Sequence, residues 1–191
     1  MTGPRFTTLT ARAVVLLDVD VDTDQIIPAR YLKGTDKSGL ADALFADWRA
    51  RPGFPVGAPA STGAEILVAG HNFGCGSSRE HAAWALLAGG FRAVVSTSFA
   101  DIFRGNALKN GLVPVVVPPA VHEALVSALA ADPALEVTVD LQAQQLSARG
   151  VPTTPFAIDR FARRCLLDGI DELGFLLHHL AEIESHERRQ R

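Results

Sequence analysis

The sequence predicts an α/β domain on a mixed sheet flanked by helices, and three features predict it. Short apolar runs alternate with segments of helical spacing across residues 11–131, the pattern of strands joined by helical connections. Residues 135–141 instead place Leu135, Val137, Val139 and Leu141 at every second position, as a half-buried strand does. The chain has 191 residues and 48% hydrophobic content, enough for one well-buried domain.

In order, residues 11–17 (Ala-Arg-Ala-Val-Val-Leu-Leu) read as the first strand. Asp18, Asp20, Asp22 and Asp24 follow. Their alternation invites a calcium-loop reading, which needs glycine at the sixth position and glutamate at the twelfth. Counted from Asp18 those positions hold Thr23 and Ala29, and from Asp20 they hold Gln25 and Tyr31, so that reading fails. Residues 35–39 form a polar loop, and 40–49 have helical spacing at Leu40, Ala43, Leu44 and Trp48. Prolines and glycines make 51–63 a connection. Branched apolar residues make 65–69 a buried strand, and 82–88 read as a helix. A strand follows at 92–96. Then comes a helix N-capped by Ser98 and closed by Asn110-Gly111. Residues 112–117 are a strand stopped by Pro118-Pro119, and 121–131 a helix. The strand at 135–141 has a hairpin partner at 145–149, and 156–158 adds a short strand. Helices at 159–167 and 170–185 close the chain, before a charged tail at 186–191 that is expected to fray.

The net charge of −3 points to neither a nucleic-acid nor a membrane partner. No apolar run is long enough to span a bilayer, and the first residues lack the apolar core of a signal peptide. Cys75 and Cys165 are too few for a disulfide framework, so a cytoplasmic location is expected.

The chemistry concentrates in the turn between the strand at 65–69 and the helix at 82–88, Gly70-His-Asn-Phe-Gly-Cys-Gly-Ser-Ser-Arg79. Its glycines let backbone N–H groups approach a ligand, and the helix start favours an anion. Arg79 adds a forked cation suited to a carboxylate, and Ser77 and Ser78 add hydroxyls. This is half of an active site for a small polycarboxylate. A nucleophile elbow is excluded, because neither serine has glycine on both sides at the required spacing. A dinucleotide fingerprint fails at Arg79, and no Gly-Lys-Ser/Thr phosphate loop is present. Two cysteines alone cannot hold an iron–sulfur cluster. Ser77-x-x-Glu80 is also a capping box. His71 and His81 read as structural, Cys75 as a small residue in a tight turn, and His178-His179 as a solvated helix face. Asp18, Asp20 and Asp22 read as solvated loop carboxylates.

Three segments carry a resemblance in order and spacing. They are Asn72-Phe-Gly-Cys-Gly-Ser-Ser-Arg-Glu-His81, Asp22-Thr-Asp-Gln-Ile-Ile-Pro28 upstream, and Ser98-Phe-Ala-Asp-Ile-Phe103 with Asn106 and Asn110-Gly-Leu112 downstream. Together they resemble the swivel domain of the aconitase superfamily. The short chain, and the segment from Asp159 to Gly169, resemble its family of 3-isopropylmalate dehydratase small subunits. The resemblance implies one swivelling β/β/α domain over residues 1–191, with a flexible substrate loop at 29–39. It implies a hydro-lyase subunit of leucine biosynthesis that is inactive without a large subunit, in a heterodimer or higher assembly. That partner holds a [4Fe–4S] cluster, whose open iron acts as a Lewis acid on the departing hydroxyl; this chain itself binds no cofactor and no metal. Ser77 matches the family's catalytic serine. Ser78 and Arg79 match contacts to the carboxylates of a di- or tricarboxylate substrate, and Asp24 an aspartate that orients a cation or hydroxyl. Tyr31, Leu32 and Lys33 lie where the family has its substrate-selecting loop, with Leu32 facing an isopropyl group. Lys33 would also attract the distal carboxylate of a longer acid, which leaves homoaconitate or a citraconate-type acid as alternative substrates. A binding domain without catalysis is the alternative of another class.

Overall fold

The computed structural model describes residues 5–32, 39–57 and 61–190. Strand β1 (Thr8–Leu16) is its hinge between two kinds of pairing. Its second half runs parallel to β2 (Ile66–Ala69), with Ala13 opposite Ile66 and Leu16 opposite Ala69. Its first half pairs antiparallel with β5 (Glu136–Asp140), with Thr8 opposite Asp140. Strands β3 (Ala93–Ser96) and β4 (Val113–Val116) extend the parallel side. Strands β6 (Gln145–Ala148) and β7 (Val151–Pro155) extend the antiparallel side. The result is one seven-stranded sheet in the order β4-β3-β2-β1-β5-β6-β7.

Both faces of the parallel half are covered, which is why its strands are continuous apolar runs. Leu67, Ala69 and Val94 face one core, with helix α3 (Glu80–Ala88) and its buried Ala82, Ala83, Ala85 and Leu86. Ile66, Val68, Ala93 and Val95 face the other, against Leu125 and Leu129 of α5 (Pro119–Ala131). Strand β5 buries only Val137 and Val139, so it alternates.

Several boundaries differ from expectation. β1 begins three residues before position 11, because Thr8–Thr10 are specified by β5, far along the chain. The helix expected over 40–49 is only α2 (Leu40–Ala43). The buried Phe45 leaves the helical path with φ 49°, and its N–H donates to Ile26 O at 2.8 Å. The last strand is β7, not 156–158. Pro152 and Pro155 disguise it, but they are tolerated at a sheet edge where no ladder donor is needed. After α6 (Arg160–Asp168), the expected helix at 170–185 is two, α7 (Glu172–His178) and α8 (Leu180–Gln190). The break falls where the rings of His178 and His179 compete for the carbonyls of Gly174 and Phe175, at 2.7 and 2.9 Å. The tail expected to fray continues as helix to Gln190.

Candidate active site

The carboxyl ends of β1, β2 and β3 lie side by side, the position at which open parallel sheets bind ligands. Three loops meet there. The glycine turn runs between the acidic loop after β1 and the loop after β3, bonded to both. On one side Asp20 N–H donates to His71 O (2.9 Å), Gly74 N–H to Val21 O (2.7 Å) and Thr23 N–H to Cys75 O (2.9 Å). On the other, Phe73 N–H donates to Ser98 O and Ala100 N–H to Phe73 O, both at 3.2 Å. Ser96, fully buried, donates its hydroxyl to Gly70 O at 2.7 Å. Phe73 is buried beneath the turn, edge-on to Phe103 at 5.4 Å.

Gly74 sits over that ring with φ 80°, and a Cβ there would lie 2.2 Å from Phe103 Cγ. Gly74→Ala is therefore expected to cost about 3 kcal/mol from left-handed strain plus overpacking, lowering the melting temperature by about 10 °C. An unchanged calorimetric melt would contradict this packing.

Asp18 and Asp20 are exposed, as expected of loop carboxylates, but Asp22 is half-buried and structural. Asp22 is the N-cap of α1 (Thr23–Ile26): its Oδ1 accepts from the N–H groups of Asp24 and Gln25, each at 2.8 Å. Gln25 Oε1 accepts in return from Asp22 N–H at 2.8 Å. Asp20 accepts from Asn72 Nδ2 at 2.8 Å, and Asp18 lies 3.5 Å from Arg51. Asp20 bonds the turn directly through Asn72, and Asp22 caps the helix behind it.

Helix α1 aims two groups at the turn. The buried Thr23 hydroxyl donates to Ser77 O at 2.8 Å, fixing the residue that carries the candidate base. Asp24 Oδ1 pairs with Arg79 Nη1 and accepts Ala29 N–H at 2.8 Å. The Arg79 hydrogen bond, then the Ala29 amide, hold the Asp24 carboxyl below its ordinary value. A depressed carboxyl contributes stability above its unfolded pKa, and loses it as pH falls through the folded one. Asp24 therefore stays ionised, and this ion pair intact, at and above neutral pH. The Arg79 side chain is only 19% exposed and that of Asp24 57%, so the cation is the sheltered member.

Ser77 and Ser78 are both exposed, and neither hydroxyl has a hydrogen-bond partner among the described residues. The capping box expected at Ser77-x-x-Glu80 does not form. Helix α3 starts at Glu80 with Arg79 as an N-cap that makes no side-chain capping bond. Glu80 instead accepts from Asn110 Nδ2 at 2.7 Å. Ser98 is not the cap of α4 (Asp101–Asn110), whose N-cap is Ala100. Its hydroxyl accepts Asn72 N–H at 2.8 Å and meets His71 Nδ1 at 2.9 Å, which gives His71 a structural place. His81 lies against Trp84, ring centroids 4.6 Å apart. The Cys75 thiol donates to Asp20 O at 3.2 Å. Burial, then Asp22 and Asp20, push its pKa up, so it stays a protonated, unreactive thiol.

The structure thus brings Ser77, Arg79 and Asp24 onto one framework, with Ser78 between them in sequence. Tyr31 ends the 3₁₀ turn Ala29–Tyr31 that Asp24 anchors through Ala29; the residue is 41% exposed. Leu32 is partly buried against the core. Lys33 lies outside the described residues. Sequence reasoning missed Thr23, Asn110 and Ser96. Thr23 had a signal, because Asp22-x-x-Gln25 is itself a capping box and places the threonine on the first helical turn. Among the described residues, no group of three or more His, Cys, Asp or Glu is placed to hold a metal ion, and no helix is long and apolar enough to cross a membrane.

The aconitase C-terminal domain family matches residues 4–120. The 3-isopropylmalate dehydratase small subunit of Anaeromyxobacter dehalogenans (strain 2CP-C) is 57% identical over 187 residues, covering 95% of this chain and 96% of that one. The protein of the same name from Herpetosiphon aurantiacus is 53% identical, covering 94% and 91%. The crystal structure of 3-isopropylmalate dehydratase from Methanocaldococcus jannaschii superposes with a TM-score of 0.66 at 29% identity, covering 97% of this chain and all of that one. On this similarity and the geometry of the glycine turn, the chain belongs to the aconitase C-terminal domain family and, within it, to the 3-isopropylmalate dehydratase small subunits.

Proposed function

We propose that Ser77 is the base of a dehydration–rehydration site which this chain completes on a larger partner. The reaction interconverts 3-isopropylmalate and 2-isopropylmalate in leucine biosynthesis. The observation that carries this reading is the Ser77 hydroxyl: exposed, without a hydrogen bond among the described residues, and held by its backbone beside a sheltered guanidinium. As an alkoxide it takes the proton from one substrate carbon as hydroxide leaves the neighbouring carbon. The C–H electron pair becomes the second bond of the alkene, and the C–O pair leaves with the hydroxide. Returning that proton from Ser77 to the other carbon, with hydroxide added at the first, gives the isomer and restores the alkoxide. The oxyanion is stabilised by backbone N–H groups at the start of α3 and by Arg79. Arg79 and Ser78 bind a substrate carboxylate; Asp24 keeps the guanidinium turned to the site.

Among the described residues no set is placed to hold a metal ion; a [4Fe–4S] group on the large subunit would polarise the leaving hydroxyl. A partner's cover is supported by three exposed apolar side chains around the turn: Leu17 (52%), Val19 (62%) and Ile102 (54%). The chain acts as one swivelling unit over residues 1–191, in the cytoplasm, in line with its free cysteines. Tyr31, Leu32 and Lys33 select the substrate's side group.

The test is reconstitution. The purified chain alone should not turn over 3-isopropylmalate, and should do so when a cluster-loaded large subunit is added. Rates on homoaconitate and citraconate-type acids should be lower. Higher rates on the longer acid would move the assignment to that substrate, and binding without turnover would leave a binding domain.

A further inference from the structure

We infer that Asn110 is a positioning residue that keeps the Ser77 hydroxyl free, by holding Glu80 away from the capping box its sequence encodes. The inference rests on the role proposed for Ser77. Ser77-x-x-Glu80 is a complete capping box, yet the helix begins two residues later than that box would start it. Were the box to close, the Ser77 hydroxyl would accept Glu80 N–H. Glu80 would reach back to Ser77 N–H, and Arg79 would enter the helix. A hydroxyl so engaged, with its residue drawn into a helix cap, is not presented to a substrate.

The structure shows what competes. Both protons of the Asn110 amide are used, one on Glu80 Oε1 at 2.7 Å and one on Asn106 O at 2.8 Å. Its Oδ1 accepts Trp84 Nε1–H at 2.7 Å, which fixes which end of the amide faces Glu80. The amide therefore bolts the first residue of α3 to the last turn of α4. Two further contacts favour the late start: Thr23 holds Ser77 O, and Asp24 holds Arg79 while that residue is extended, with φ −117° and ψ 105°.

Asn110→Asp is the informative change in the reconstituted enzyme. It keeps the acceptor for Trp84, removes both donors and repels Glu80. The expected result is a fall in kcat of about tenfold, the population shift that one helix cap of ordinary strength produces. Backbone hydrogen exchange at Glu80 should slow, because its N–H gains an acceptor. Adding N110D to Glu80→Ala should leave kcat within about twofold of Glu80→Ala alone, since residue 110 then has no carboxylate to hold or repel. If N110D does not fold, N110A removes the same donors without adding charge, and the same readings apply. Wild-type kcat in N110D, or an equal further loss when N110D is added to Glu80→Ala, would overturn the inference and leave Ser77's role standing. Full turnover in Ser77→Ala would overturn both.

Discussion

Replacing Ser77 by alanine is expected to lower kcat about 10³-fold, or about 4 kcal/mol in the barrier, the size of a positioned proton-transfer group. Assembly with the partner and thermal stability should not change. The side chain makes no hydrogen bond among the described residues. The contact that fixes this residue, Thr23 Oγ1 to Ser77 O at 2.8 Å, uses its backbone and survives the substitution. The expectation separates chemistry from structure: kcat falls, while the melting temperature stays within about 2 °C, as for an exposed substitution. A parallel loss of stability would mean the residue was a helix cap after all.

Arg79→Gln is expected to act on binding instead. A sheltered guanidinium facing a carboxylate contributes on the order of 3 kcal/mol, so kcat/KM should fall by about 10²-fold, mostly through KM. Arg79→Lys keeps the charge and loses the fork, and should fall between the two. A second consequence is local. Asp24 owes its depressed pKa first to Arg79 and only then to the Ala29 amide. In Arg79→Gln its carboxyl should rise toward the ordinary range, which a carbon-detected NMR titration would read. If Asp24 does not move, the pair seen here is not what holds that carboxyl down.

Local structure around the glycine turn was legible from residue order. The branched run before the glycine turn, its hydroxyls, and the arginine at the helix mouth all stand where their types imply. The capping reading of Ser77 and Glu80 was locally sound as well, and it fails for a reason 30 positions along the chain, where Asn110 takes the carboxylate. Ser98 looked like a helix cap and serves the turn instead, because His71 and Asn72 are brought to it by the pairing of β2 and β3. Asp22 shows the opposite case. Its cap is encoded in Asp-Thr-Asp-Gln, within four alternating carboxylates whose pattern also imitates a cation loop. The first residues of β1 and the proline-bearing β7 are strands only because of their neighbours, so no local pattern reveals them.

The most direct measurement starts from the unsaturated acid, the dehydration product of isopropylmalate, supplied in heavy water to the chain with its cluster-loaded partner. Hydration must then form a carbon–deuterium bond with a deuteron delivered at the Ser77 oxygen. The wild-type pair should convert the acid to isopropylmalates carrying one deuterium at carbon. The Ser77→Ala pair should bind the acid with similar affinity and form almost none. Labelled product from the alanine variant at the wild-type rate would contradict the central claim.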